Sequence, residues 1–460
     1  MSNQTTTVEP PAHEPGVSRP DFLRATASVW LGTTMEYVDF ALYGLAAGLV
    51  FGDLFFPGAD PAVALLSGFA TYAVGFLARP VGAIVLGRIG DKHGRKVVLV
   101  ATIILMGGST TLIGALPTFG QIGVAAPALL VFLRICQGFG AGAELSGGAI
   151  MLAESSPNRI RGFVSAFIAL GSNSGTLLAS GVWLLVTQLP KAELLSWGWR
   201  IPFLCSILVT VAALVLRRVM KESPIFLAEK ERREHIATDA RPAEDAQAQA
   251  AAEPDSRGFF ARNKAFFVML GLRIGENGPS YLAQTFIVGY VTKVLVLDKS
   301  LSASAVFVAS LIGFAVIPLA GYASDRFGRR ITYRAFCIAL VAFAFPAFIL
   351  MDTKNPGIVF ATIVVGMALA SLGIFAVQAA YGVELFGSTN RYTKMAIAKE
   401  VGSLLSGGTA PLFASALLVQ FGHWWPIAVY FAATATIGLV TTFFAPETRG
   451  RDLTLASDAV

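Results

Sequence analysis

Long apolar runs, broken at short intervals by polar and basic turns, dominate the chain. They fall near 28–51, 63–86, 97–116, 128–153, 162–188 and 201–216, and then near 265–295, 303–323, 335–351, 358–384, 396–420 and 427–445. Each is close to the roughly 20 apolar residues that a helix needs to cross a bilayer. The runs are continuously apolar and do not alternate, which excludes a membrane β-barrel. The pattern predicts an all-α membrane protein with 12 transmembrane helices.

One polar turn occurs twice. Gly87 to Lys96 (GRIGDKHGRK) returns as Gly321 to Arg330 (GYASDRFGRR), 234 residues later. Such an offset predicts two similar halves in tandem: six-helix bundles at 25–216 and 265–445, a tail at 1–24, a central loop at 217–264 and a second tail at 446–460. Gly87, Asp91, Arg95 and Lys96, with Asp325 and Arg329 in the second copy, are the candidate gating motif. Asp91 is expected to accept hydrogen bonds from a helix amino terminus of the other half and so hold one face closed.

Composition agrees with the membrane reading: 55% of residues are hydrophobic and 14% charged, with mean hydropathy +0.65. The formal charge of +6 would suggest nucleic acid in a soluble protein, but its placement gives a better account. Of the 35 Lys and Arg residues, 26 lie in alternate loops and the tails, five on the opposite side and four inside the runs. By the positive-inside rule both termini are cytoplasmic, in a multi-pass protein of the inner (plasma) membrane. The first 24 residues lack the basic and apolar regions of a cleavable signal. The central loop reads as a charged helix followed by a flexible linker.

Cys136, Cys205 and Cys337 sit in apolar runs, and the four histidines are scattered, so neither a disulfide framework nor a metal site is expected. Gly138 to Gly148 (GFGAGAELSGG) lies inside an apolar run with no preceding strand. Gly138 and Gly142 therefore read as sites of close helix packing, not as a nucleotide loop. No ATP-binding motif is present, and no nucleophile, base and metal constellation marks an enzyme. No cofactor and no nucleic acid partner are expected.

Charges inside the runs fall in an ordered way. Glu36 and Asp39 lie in the first run, Arg79 in the second, Arg134 and Glu144 in the fourth, Arg273 and Glu276 in the seventh, Glu384 at the end of the tenth, and Lys399 and Glu400 in the eleventh. The third, sixth, ninth and twelfth runs carry none and suit lipid. This period of three predicts four three-helix units around a central polar cavity. In the seventh run Arg273, Glu276, Asn277, Ser280, Tyr281 and Gln284 recur at helical spacing and form one polar face. Asn173 and Gln378 add polar groups from the fifth and tenth runs. An ionisable group in the bilayer is costly unless paired or hydrated, so such a stripe marks a functional site. Asp39 is expected to pair with Arg134. Lys399 and Glu400 form either a ligand site or a self-neutralised pair, and Glu154 and Glu384, near helix ends, read as structural.

Several motifs together resemble the major facilitator superfamily, and within it the metabolite:proton symporter family of shikimate, ketoglutarate, citrate and proline/betaine carriers. The two polar turns look like its loop signature and second-half copy. Met35-Glu36-Tyr37-Val38-Asp39-Phe40 resembles its first-helix signature, and Arg134-Ile135-Cys136-Gln137-Gly138-Phe139-Gly140 its RxxQGxG. Glu222-Ser223-Pro224 and Pro446-Glu447-Thr448-Arg449-Gly450 resemble the boundaries after the sixth and twelfth helices. Two departures stand out: Glu144-Leu145-Ser146-Gly147-Gly148 where the family often has Glu-Trp-Gly-Gly, and the charged Ala398-Lys399-Glu400.

The resemblance implies two six-helix bundles working by alternating access, functional as a monomer. With the buried charges it implies proton-coupled uptake of a small organic acid, shikimate-like or an aromatic or dicarboxylic anion. Proton coupling is expected at Asp39 with Arg134, then at Glu36 and Glu144. Arg79, Arg273 and Lys399 would meet a substrate carboxylate, with Asn173, Glu276, Asn277, Tyr281, Gln284, Gln378 and Glu400 completing the site. A carrier of a zwitterionic osmolyte such as proline or betaine, a proton-driven exporter and a transport-dead membrane sensor are the alternatives. The short segment after Ala445 lacks heptads, which disfavours osmosensing.

Overall fold

A computed structural model describes residues 19–93, 95–142, 145–154, 156–219, 259–388, 391–455 and 457–459. Among the described residues the chain is all-helical and runs through twelve rods. The first half holds α1 (Arg19–Ala46, prolonged by a π turn at Ala47–Phe51 and by Gly52–Phe55), α2 (Pro61–His93) and α3 (Arg95–Ala115). It continues with α4 (Ala125–Ala141, then Leu145–Glu154), α5 (Arg161–Val186) and α6 (Arg200–Val219). The second half holds α7 (Lys264–Tyr281, a π turn at Leu282–Phe286, then Ile287–Lys293), α8 (Lys299–Phe327) and α9 (Arg329–Asp352). Then come α10 (Pro356–Met367, a π turn at Ala368–Gly373, then Ile374–Leu385), α11 (Arg391–Ser406, then Ala410–Phe421) and α12 (Trp425–Phe444). Among the described residues eight helical runs are long and apolar enough by themselves to cross a membrane, and nine if the bent pair Lys191–Gly198 and Arg200–Ala212 is one span. Of the other rods, α3 and α4 hold shorter apolar stretches, Val100–Ala115 and Ala125–Ala141. The polar face of α7 lowers its hydropathy.

Packing separates lipid-facing from interior rods. On α6 the residues Leu204, Ile207, Leu208, Val211 and Val215 are exposed at helical spacing, as are Val429, Ile437, Val440, Phe443 and Phe444 on α12. Such stripes are stable only against lipid. Gly138 and Gly142 press α4 onto α2, since a Cβ on either would collide with the backbone of Gly75 or Arg79. The sequence expectation of close packing there is met.

The halves meet at both faces. One face carries the start of α1 and the end of α12; we call it the tail face and its opposite the far face. At the tail face Asp325, at the end of α8, accepts from the backbone N–H groups of Gly162 and Phe163 at 2.8 Å each, at the start of α5. Arg329 donates to Asp325 at 2.7 Å and pairs with the buried Glu384, which also meets Arg161 at 3.2 Å. Arg391 of α11 pairs with Glu154 of α4 at 2.6 Å. Glu384 and Glu154 are thus structural, as read from sequence. Asp325, the second-half counterpart in the predicted gating motif, makes the kind of contact expected of Asp91. Gly87, Asp91, Arg95 and Lys96 have helical backbones, but their side chains lie outside the described residues, as do Glu144 and most of the central loop. At the far face Gly48 of the α1 extension packs on Gly289 of α7, where an added Cβ would stand 2.9 Å from the Gly289 nitrogen.

Candidate transport site between the two halves

Midway between the faces, buried charges from both halves converge. Arg79 of α2 donates to Glu400 of α11 from Nε at 2.9 Å and from Nη2 at 3.2 Å, and Glu36 of α1 stands 3.5 Å from the same Nη2. One guanidinium, 4% exposed, thus answers two carboxylates and ties the halves together. Arg273 of α7 binds Glu276 one turn on at 2.7 Å, Gln378 of α10 at 2.9 Å and Ser403 of α11 at 3.1 Å. Asn277 reaches the same Ser403 hydroxyl. Lys399 is 5% exposed, yet among the described residues its ammonium makes no hydrogen bond or ion pair. Glu400 is engaged by Arg79, so the self-neutralised Lys399–Glu400 pair is not made.

Toward the far face lies a small space between the halves, lined by Tyr37, Phe40, Ala41, Leu45, Tyr72, Thr176, Tyr281, Gln284, Thr285 and Val306. These residues come from α1, α2, α5, α7 and α8. The triplets predicted from sequence do not contribute alike: α2, α5 and α8 reach the space beside α1 and α7, while α4 and α10 do not line it. The cause is packing. The aromatic side chains of α1 and α2 stand in front of α4, and the π turn at Leu282–Phe286 swings Gln284 and Thr285 inward.

Arg134 shows the same effect. Its guanidinium lies 4.3 Å from the Tyr43 ring centre and 4.7 Å from that of Tyr72, and donates to Gln137 and the Tyr72 carbonyl. No described carboxylate forms an ion pair with it, so the direct Asp39–Arg134 pair is not formed. Two ring faces and two acceptors surround the cation instead, and its Nη2 is buried without a hydrogen-bond partner. Asp39 is buried on α1, one turn from Glu36. Asn173 also departs from expectation: its amide donates to the Ser310 carbonyl of α8 at 2.8 Å, sewing the halves together beside the space. The next turn, through Thr176, supplies the lining. Tyr281 and Gln284 do face the space, and Gln284 accepts from Ser371 at 3.4 Å. Ser403 went unpredicted, although it follows Lys399 by one helical turn.

Residues 29–459 match the family described as "Sugar (and other) transporter". The chain belongs to this family. It is a transporter of the major facilitator superfamily, in the metabolite:proton symporter branch, and this family is one of membrane transporters, not of enzymes. The transporter is 43% identical over 425 residues to the Escherichia coli (strain K12) protein named "Putative transporter YdfJ", covering 92% of this chain and 96% of that one. It is 35% identical over 434 residues to the shikimate transporter of the same strain, covering 93% and 95%. Against that strain's proline/betaine transporter the figures are 34% over 439 residues, covering 95% and 86%. The crystal structure of a D-xylose-proton symporter superposes with TM-score 0.71 at 18% identity, covering 94% of this chain and 100% of the other, a likeness of fold.

Proposed function

We propose that this transporter takes up a small organic acid together with protons by alternating access, from the inner membrane, with both tails in the cytoplasm. The observation that carries the reading is Lys399, a buried ammonium at the junction of the halves that makes no hydrogen bond or ion pair among the described residues. A buried cation is best neutralised by a charged acceptor, and a substrate carboxylate supplies one. Tyr281, Gln284 and Thr176 then offer a phenol, an amide and a hydroxyl toward the rest of a small polar cargo. The α1 acids are the proton site in this reading, Asp39 first and Glu36 second, since protonation of one acid offsets the charge of an arriving anion. Charge segregation in the loops supports the orientation.

The test is uptake by proteoliposomes of shikimate, aromatic acids, dicarboxylic acids, proline and glycine betaine under an imposed pH gradient. An acid should accumulate, and a protonophore should abolish accumulation. Accumulation that survives collapse of the gradient rejects proton coupling. Accumulation of proline or betaine and of no acid rejects the organic-acid reading.

A further inference from the structure

At the far face the halves join through one acid and two bases. Asp53, in the α1 extension, accepts from Lys293 Nζ at 2.6 Å and lies 3.9 Å from Lys299 Nζ. The Lys299 ammonium is enclosed and has no hydrogen-bond partner. Its sequence neighbour Asp298 accepts from the Ser300 N–H at 2.6 Å and is thereby held at the start of α8. One carboxylate therefore serves two ammonium groups and satisfies only one of them. Asp53 belongs to the first half and both lysines to the second. Because the contact sits beside the Gly48–Gly289 packing, any movement that opens the far face withdraws Asp53 and leaves two facing ammonium groups uncompensated at the mouth.

We propose that Lys293 and Lys299 form an anion-receiving site at this mouth, and that Asp53 is its internal occupant while the face is closed. The carboxylate of an incoming small acid takes the place that Asp53 vacates, and Asp53 displaces it inward as the face closes again. Binding of an anion and opening of the face are then linked reciprocally, because each favours the state in which Asp53 is withdrawn. The cargo class rests on the organic-acid reading above; the site itself rests on the geometry.

The experiment uses the full chain, purified, with Cys136, Cys205 and Cys337 replaced by serine. Spin labels at Asp60→Cys and Val296→Cys, both exposed at the far face, report its opening by distance, and saturation transfer from protein to the methyl group of acetate reports the anion site. Asp53→Asn should raise the ratio of open to closed distances about two- to tenfold, as expected for one partly exposed charge-assisted contact. It should also raise the acetate signal severalfold over the parent chain at equal pH and ionic strength. Adding Lys293→Gln and Lys299→Gln should remove that acetate signal; Lys299→Gln alone serves the same comparison if the triple variant does not fold. An unchanged distance ratio in Asp53→Asn overturns the proposal, and so does an acetate signal that is equal in parent and Asp53→Asn or that persists without the lysines. Neither readout involves transport, so a protein that carries no organic acid still answers the question.

Discussion

Glu400→Gln tests the contact that binds the halves at mid-depth. The side chains of Arg79, Glu36 and Glu400 are 5%, 1% and 7% exposed, so solvent screens their interaction little. Glutamine keeps the shape of Glu400 and removes its charge, leaving Arg79 only the longer contact with Glu36. Stripping a buried ion of every partner costs about 3–5 kcal/mol. Because Glu36 remains, the appropriate figure is one lost charge-assisted hydrogen bond, about 1.5–3 kcal/mol. The contact exists with both faces closed, so its loss raises the closed state relative to either open state. Net accumulation and substrate exchange both pass through that state, and both should slow by about 10- to 150-fold. Arg79→Gln alone removes the cation from between two carboxylates and should do more harm, whereas Arg79→Gln with Glu400→Gln should recover part of it. Exchange flux of the two single variants and the double variant in proteoliposomes gives the coupling. If their effects add to within about 0.5 kcal/mol, the two side chains do not act on each other and the reasoning fails.

Asp39→Asn keeps the shape of a buried acid and removes its proton, so accumulation driven by a pH gradient should be lost while exchange persists; normal accumulation would move the proton site to Glu36 or Glu276. Lys399→Gln should raise the substrate dissociation constant about 10- to 150-fold, the value of one charge-assisted contact, and unchanged equilibrium binding would make Lys399 structural. Asp325→Asn weakens two bonds of 2.8 Å to the start of α5 and removes a charge that favours a helix amino terminus, together about 0.5–2 kcal/mol. It should change turnover and leave binding near normal, which parallel flux and binding measurements decide.

The helices were legible because hydropathy over a long run is a local property, and the polar face of α7 because helical spacing is local too. Partners were not. Arg79 and Glu400 lie 321 residues apart, and no spacing links them. Arg134 shows why a charge alone is a poor guide: a carboxylate on α1 looked like its partner, yet its guanidinium lies over the rings of Tyr43 and Tyr72. The π turns at Leu282–Phe286 and Ala368–Gly373 add a residue to one helical turn, and only the packing of neighbouring rods reveals them. The repeated turn was legible as a motif, but that Asp325 would meet the start of α5 was not, because the two lie 162 and 163 residues apart.

The two closed faces are held by unequal means, and that inequality bears on direction. At the tail face Glu384 and Arg329 are fully buried and share Arg161, Asp325 and Thr448, so releasing one group leaves another charge without its partner. Breaking a buried network of this kind costs several kcal/mol. Among the described residues the ion pairs of the far face share one acid, Asp53, that is 32% exposed, and pairs open to solvent contribute about 0–1 kcal/mol. Water readily solvates Asp53 and Lys293 once they part, whereas Glu384 has no such recourse. Thermal opening should therefore favour the far face, which on the proposed orientation faces outward. An empty protein that waits open to the outside with its cytoplasmic contacts intact is poised to load an external acid, and the energy of binding that acid with its proton is then available to loosen the tail-face network.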